Sequence, residues 1–118
     1  MNLRVECQSQ PIAAELSRDI LQQVNDGRIQ AWRYVNVNVD EQRRDLPCIF
    51  HDTDQTREEN KIAYFHVYQQ GSEVRFDMYP RRGTNMGPDV KLWLLGRLAE
   101  MVISHYIGRF ESIHFNTR

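Results

Sequence analysis

Between residues 31 and 79 the chain reads as four short strand-like runs whose connections are too brief to hold a crossover helix. Residues 31–39 alternate Val35, Val37 and Val39 with Trp32, Tyr34, Asn36 and Asn38, the two-residue period of a strand. The charged turn DEQRRD (40–45) leads to Leu46–Phe50, where Pro47 restricts the run to a sheet edge or a strand start. HDTDQTREEN (51–60) reads as a polar loop and KIAYFHVYQ (61–69) as the next strand. Gly71-Ser72 then forms the turn of a hairpin into EVRFDMY (73–79). Parallel neighbours need a dozen or more residues between them, so these strands are expected to pair antiparallel.

Helical periodicity flanks this block. Leu3, Val5 and Cys7 alternate with Asn2, Arg4 and Glu6 in a first strand. Ile12, Leu16, Ile20 and Val24 then recur every four residues in a helix over 11–26, with Pro11 in its first turn and Gly27 at its end. After PRRGTNMGP (80–88) a second helix is expected over 89–107, stopped by Gly108, and RFESIHFNT (109–117) reads as the last strand. The expected order is β-α-β-β-β-β-α-β. It describes a single α+β domain, residues 1–118, built as a two-layer sandwich. Two helices cover one face of a mostly antiparallel sheet of five to six strands. A ferredoxin-like topology with an inserted hairpin satisfies this order, and no motif ties the chain to one family.

Composition removes several classes. Of 118 residues 41% are hydrophobic and the net charge is −1, which fits neither a disordered chain nor a polyelectrolyte. No apolar run reaches the roughly 20 residues of a membrane span. Residues 1–59 carry seven basic and eleven acidic side chains, and residues 60–118 eight and five. Thirteen of the fifteen cations are Arg. Arg suits carboxylate, phosphate and aromatic partners, but GC-rich coding is the readier explanation of the excess, which therefore only permits such partners. Cys7 and Cys48 stand far apart in apolar-alternating sequence, as two reduced thiols would. MNLRVECQSQ has no signal-peptide pattern, so a cytoplasmic location is expected.

The second helix is apolar around most of its girth, with a narrow polar stripe at Arg97, Glu100 and Ser104. Such a helix is either central to a core or packed against a second copy of the chain.

Asp52-Thr53-Asp54-Gln55-Thr56 resembles the D-x-D-x-T signature of haloacid-dehalogenase-type phosphatases. That resemblance implies a nucleophilic Asp52, an acid/base Asp54 and Mg²⁺. It also implies a parallel sheet with a helix after the strand, whereas the next strand here is expected from Lys61. His51-Asp52-Thr53 is similar to one half of the paired motif of two-histidine phosphoesterases, and His114-Phe115-Asn116 lacks the hydroxyl of the other half. As a calcium loop the segment has Arg57 in the glycine position and Ala63 in the bidentate Glu position. His51, His66, His105 and His114 show no zinc spacing, so no metal and no cofactor is expected. Arg81 and Arg82, ahead of the second helix, form a candidate anion site.

With Val35, Val37 and Val39 turned to the helices, the opposite sheet face would carry Trp32, Tyr34 and Asn36. Arg75 and Tyr79 would lie on that face from the neighbouring strands, and so would Tyr64, His66 and Tyr68 if the 61–69 run, apolar in both sets, turns Ala63, Phe65 and Val67 inward. Tyr and Trp give large contact area with a polar tip. The sequence is therefore expected to be a non-enzymatic binding protein, a homodimer that contacts another protein through this face or through the second helix. A nucleic-acid-binding module using the same face ranks second, because the overall charge supplies no electropositive surround. Phosphoryl transfer at Asp52 and Asp54 ranks third.

Overall fold

In the computed structural model, which describes every residue except Arg43 of the 40–45 turn, Ser9 and Pro11 start the first helix. The Ser9 side chain accepts a hydrogen bond from the Ile12 N–H, and Pro11 sits where its missing N–H costs nothing. Helix α1 (Gln10–Asn25) lays Ala13, Leu16, Ile20 and Val24 on the sheet. Gly27 ends it at φ 74°, in the left-handed region that glycine enters without strain.

The strands are β1 (Asn2–Glu6), β2 (Trp32–Val37), β3 (Leu46–His51), β4 (Ala63–Gln70), β5 (Glu73–Pro80) and β6 (Ser112–Asn116). They form a single six-stranded sheet in the order β2-β3-β4-β5-β1-β6, with every neighbouring pair antiparallel. β1 and β2, joined through α1, run the same way with three strands between them. This is the split βαβ unit of a ferredoxin-like sheet, widened by one hairpin. Both helices cover one face. A single buried cluster joins Leu3, Val5, Phe65, Val67, Val74 and Phe76 of the sheet to Leu16 and Ile20 of α1. It continues into Leu94, Leu95, Leu98 and Val102 of helix α3 (Pro88–Tyr106). Each such side chain contributes on the order of 1.5–3 kcal/mol by leaving water.

The expected count of two helices is corrected to three among the described residues. Residues 51–60 are not all loop, because helix α2 (Asp54–Glu58) lies within them. Thr53 and Thr56 build it by a reciprocal capping box. The Thr56 N–H donates to Thr53 Oγ1 at 3.2 Å and the Thr53 N–H to Thr56 Oγ1 at 2.7 Å. One and a half turns offer too short a window for apolar periodicity, so only the caps reveal it.

Part of the charge imbalance between the two halves of the sequence is met by ion pairs between them at the surface. Arg109 meets Asp19 at 2.7 Å and Arg82 meets Glu41 at 3.0 Å, late cations on early anions. Cys7 belongs to the core and Cys48 to the opposite side of the sheet, and both thiols are free. No helix of the described residues is long and apolar enough to cross a membrane.

Candidate functional site

Strand register decides which of the candidate residues share a face. Tyr64, His66 and Tyr68 of β4 stand opposite Tyr79, Asp77 and Arg75 of β5, with Arg4 of β1 next to Arg75. All lie on the outer face, away from the helices. Five of the expected residues, Tyr64, His66, Tyr68, Arg75 and Tyr79, are thus brought together.

Trp32, Tyr34 and Asn36 are not. Trp32 pairs with His51 and Tyr34 with Ile49, and Ile49 pairs with Phe65 of the core. These three residues therefore belong to the helix side, and Val35 and Val37 belong to the outer face, the reverse of the phase read from the sequence. The cause is area. An aromatic side chain buries some 150–250 Å², and Trp32 is buried against Phe65 and His51, with ring centroids 6.0 and 5.3 Å away. The valines still find cover. The β2–β3 connection sets Asp40 beside Cys48, His66 and Tyr79, where its charge bears on all three.

The outer face consequently has two unlike halves. On the β2–β3–β4 side the face carries Val35, Val37, Leu46, Cys48 and Phe50, with Phe50 against the Tyr64 ring. Leu46 and Cys48 are buried yet lie outside the main core cluster, so they form an apolar pad of their own. Burial pushes the Cys48 thiol up to about 12, with Asp40 adding to it, which makes this sulfur a poor nucleophile. On the β5–β1–β6 side the face is a charged lattice. Glu73 holds Arg4 at 3.5 Å and Arg75 at 3.3 Å, the Tyr68 hydroxyl donates to Asp77 at 2.8 Å, and Glu6 accepts from the Ser112 hydroxyl at 3.1 Å. His66 and Tyr68 stack at 4.7 Å where the halves meet. Burial holds the His66 imidazole below its ordinary value, against the opposing pull of Asp77. Burial and then Asp77 raise Tyr68.

Arg81 and Arg82 follow β5 and are exposed. They flank a cleft with Val37, Asn38, Val39, Tyr64 and Pro80, not the start of α3. That helix begins at Gly87 without a side-chain cap, and its own Asp89 supplies the negative charge of the first turn.

The aspartates of the phosphatase-like segment are structural partners. Asp52 pairs with Arg57 at 2.9 Å and Arg33 at 3.4 Å, and Asp54 pairs with Arg57 at 2.9 Å. Thr53 and Thr56 are committed to capping α2, so the D-x-D-x-T spacing here serves a helix start. Among the described residues no three His, Cys, Asp or Glu side chains converge in a metal-binding group.

Two further features lie away from the outer sheet face. His51 is buried edge-on between Trp32 and Trp93, at 5.3 and 5.4 Å, and its Nδ1 meets no hydrogen-bond partner among the described residues. Burial and the nearby Arg97 hold it below its ordinary value, with Asp52 opposing. The second is apolar exposure on the helix layer. Leu92, Ile103, Ile107 and Phe115 are 49%, 45%, 74% and 54% exposed. Leu92 and Ile103 occupy one stripe of α3 with Gly96 and Ala99, at helical spacings of four, three and four. Ile107 follows directly, and Phe115 lies on the helix-facing side of edge strand β6.

Compared with known protein families, curated proteins and solved structures, the chain matches none of them.

Proposed function

We propose that this chain is a binding protein that forms a homodimer through α3 and β6 and meets a partner protein across the outer sheet face. The observation that carries the reading is the placement of exposed apolar bulk. The large hydrophobic side chains left in water fall on α3, the residue after it and the strand that follows, rather than scattering over the surface. A two-layer fold needs one buried stripe from a covering helix, and α3 has that stripe in Leu94, Leu95, Leu98, Met101 and Val102. Leu92 and Ile103 add nothing to it. β6 is an edge strand with unpaired backbone on one side, a ready template for its own copy.

The outer face supports a protein partner over a nucleic acid. Glu6, Glu73 and Asp77 stand among Arg4, Arg75 and His114, so a phosphate backbone would meet carboxylates as often as cations. Tyr64, Tyr68 and Tyr79 supply the amphipathic area that protein interfaces favour.

Light scattering across a concentration series tests the dimer. The wild type is expected at twice the chain mass in the tens of micromolar, and Ile103→Asp at the chain mass with an unchanged circular dichroism spectrum. A wild-type monomer at that concentration overturns the reading.

A further inference from the structure

We propose that the cleft between the β2–β3 connection and the β4–β5 ladder binds a small organic carboxylate with an apolar body, such as an aromatic monocarboxylate. The cleft holds about 220 Å³, room for roughly seven waters at about 30 Å³ each. A compact molecule fits it. Its walls are the side chains of Val37 and Val39, the Tyr64 ring and Pro80, and its rim carries Arg81 and Arg82. An apolar lining joined by two arginines matches one ligand shape, a hydrophobic body ending in an anion. Asn38 is the one side-chain amide in the lining. Phosphate would leave its additional oxygens facing valine and proline, whereas a carboxylate is satisfied by one planar guanidinium fork.

The cleft is built rather than incidental. Phe50 holds the Tyr64 ring edge-on at 5.6 Å. The Arg81 N–H donates to the Ile62 carbonyl at 2.9 Å, which fixes the chain where the arginines leave β5. On the facing wall Asn38 Oδ1 accepts from the Glu41 N–H and Asp40 Oδ1 from the Gln42 N–H, each at 3.1 Å. These bonds hold Glu41 at φ 62°, a left-handed conformation that non-glycine residues keep only when fixed locally. From there Glu41 reaches Arg82 at 3.0 Å. The rim arginine therefore already takes a carboxylate, one supplied by the chain itself. Both partners are largely exposed, so their pairing is weak and open to exchange. An incoming carboxylate whose body buries against Val37, Val39 and Tyr64 gains what Glu41 does not.

Titration of the full chain with benzoate, followed by backbone amide NMR, tests the site, with benzamide and benzylamine as neutral and cationic controls. Benzoate is expected to give saturable shifts at Val39, Tyr64, Arg81 and Arg82, and the controls none there. Arg82→Gln is expected to weaken binding roughly tenfold, the scale of one charge-assisted hydrogen bond. Glu41→Gln, which removes the internal competitor, is expected to tighten it. The amide spectrum of each variant reports its fold in the same experiment. Equal shifts with benzamide, shifts confined to other surfaces, or weaker binding in Glu41→Gln overturns the proposal.

Discussion

The two long helices lie on the same face of the same sheet and end up in different situations. Helix α1 is finished within the chain. Ala13, Leu16, Ile20 and Val24 go down onto the strands, and Glu15, Arg18, Gln22 and Asn25 go out to water. Helix α3 buries seven residues and still presents Leu92 and Ile103 to solvent. Packing one sheet face explains all of α1 and only part of α3. The surplus on α3 is what a contact outside the chain would use.

Truncating the buried stripes should make the helices look alike. Leu16→Ala in α1 and Leu98→Ala in α3 each remove a fully buried side chain, and each is expected to cost about 2–5 kcal/mol in urea unfolding. A much smaller cost for Leu98 would mean that α3 is not a core helix, and the comparison would fail at its base.

Acid should separate the helices by a smaller amount. The core-facing residues of α1 do not titrate, whereas α3 packs Trp93 against His51. His51 is held below its ordinary value of 6.5 by burial, so the unfolded chain binds the proton more readily than the folded one. Its stabilising effect is complete above the unfolded value and is lost as pH falls from there through the depressed folded value. Urea midpoints at pH 7.5 and 5.5 should therefore drop in the wild type and drop less in His51→Phe. His66, shifted the same way, accounts for slope that remains. Equal slopes would remove His51 from the linkage.

The smallest effect on folding is expected from the exposed stripe. Ile103→Ser should change monomer stability by about 0.5 kcal/mol or less, while light scattering reports loss of the dimer. A cost above 2 kcal/mol without a change in mass would return Ile103 to the core and erase the difference between the helices.

Much of this architecture was legible in the chain. Hairpin-length connections demanded antiparallel neighbours, and the two helices start and stop near Pro11, Gly27, Pro88 and Gly108, as turn chemistry requires. β5 and β6 also present the faces their alternation implies, whereas β4, apolar in both of its sets, left its side open. β2 does not, because both of its residue sets are apolar enough to face a core. Alternation specifies a strand, and it specifies a side only when one set is polar. The decision came from Trp32 finding Phe65, a contact across more than thirty residues that no local pattern encodes. His51 escaped for the same reason, since its two tryptophans come from β2 and α3. The cleft at Arg81 and Arg82 was half visible. The arginines stood out, and the wall that gives them an apolar floor depends on where the 38–42 segment folds back.

The strand order also bears on the sequence of events in folding. β2, β3, β4 and β5 are consecutive neighbours, so this meander forms by closing short loops. β1 pairs Asn2 with Asp77 on one side and with Asn116 on the other, so it waits on two of the longest closures the chain can make. The meander is therefore the natural nucleus, and β1 and β6 dock late. Damage to Val5 would accordingly hasten unfolding far more than it slows folding. Until β1 arrives, β5 is a second bare edge beside β2, and its backbone groups from Glu73 to Asp77 are then open to any passing strand.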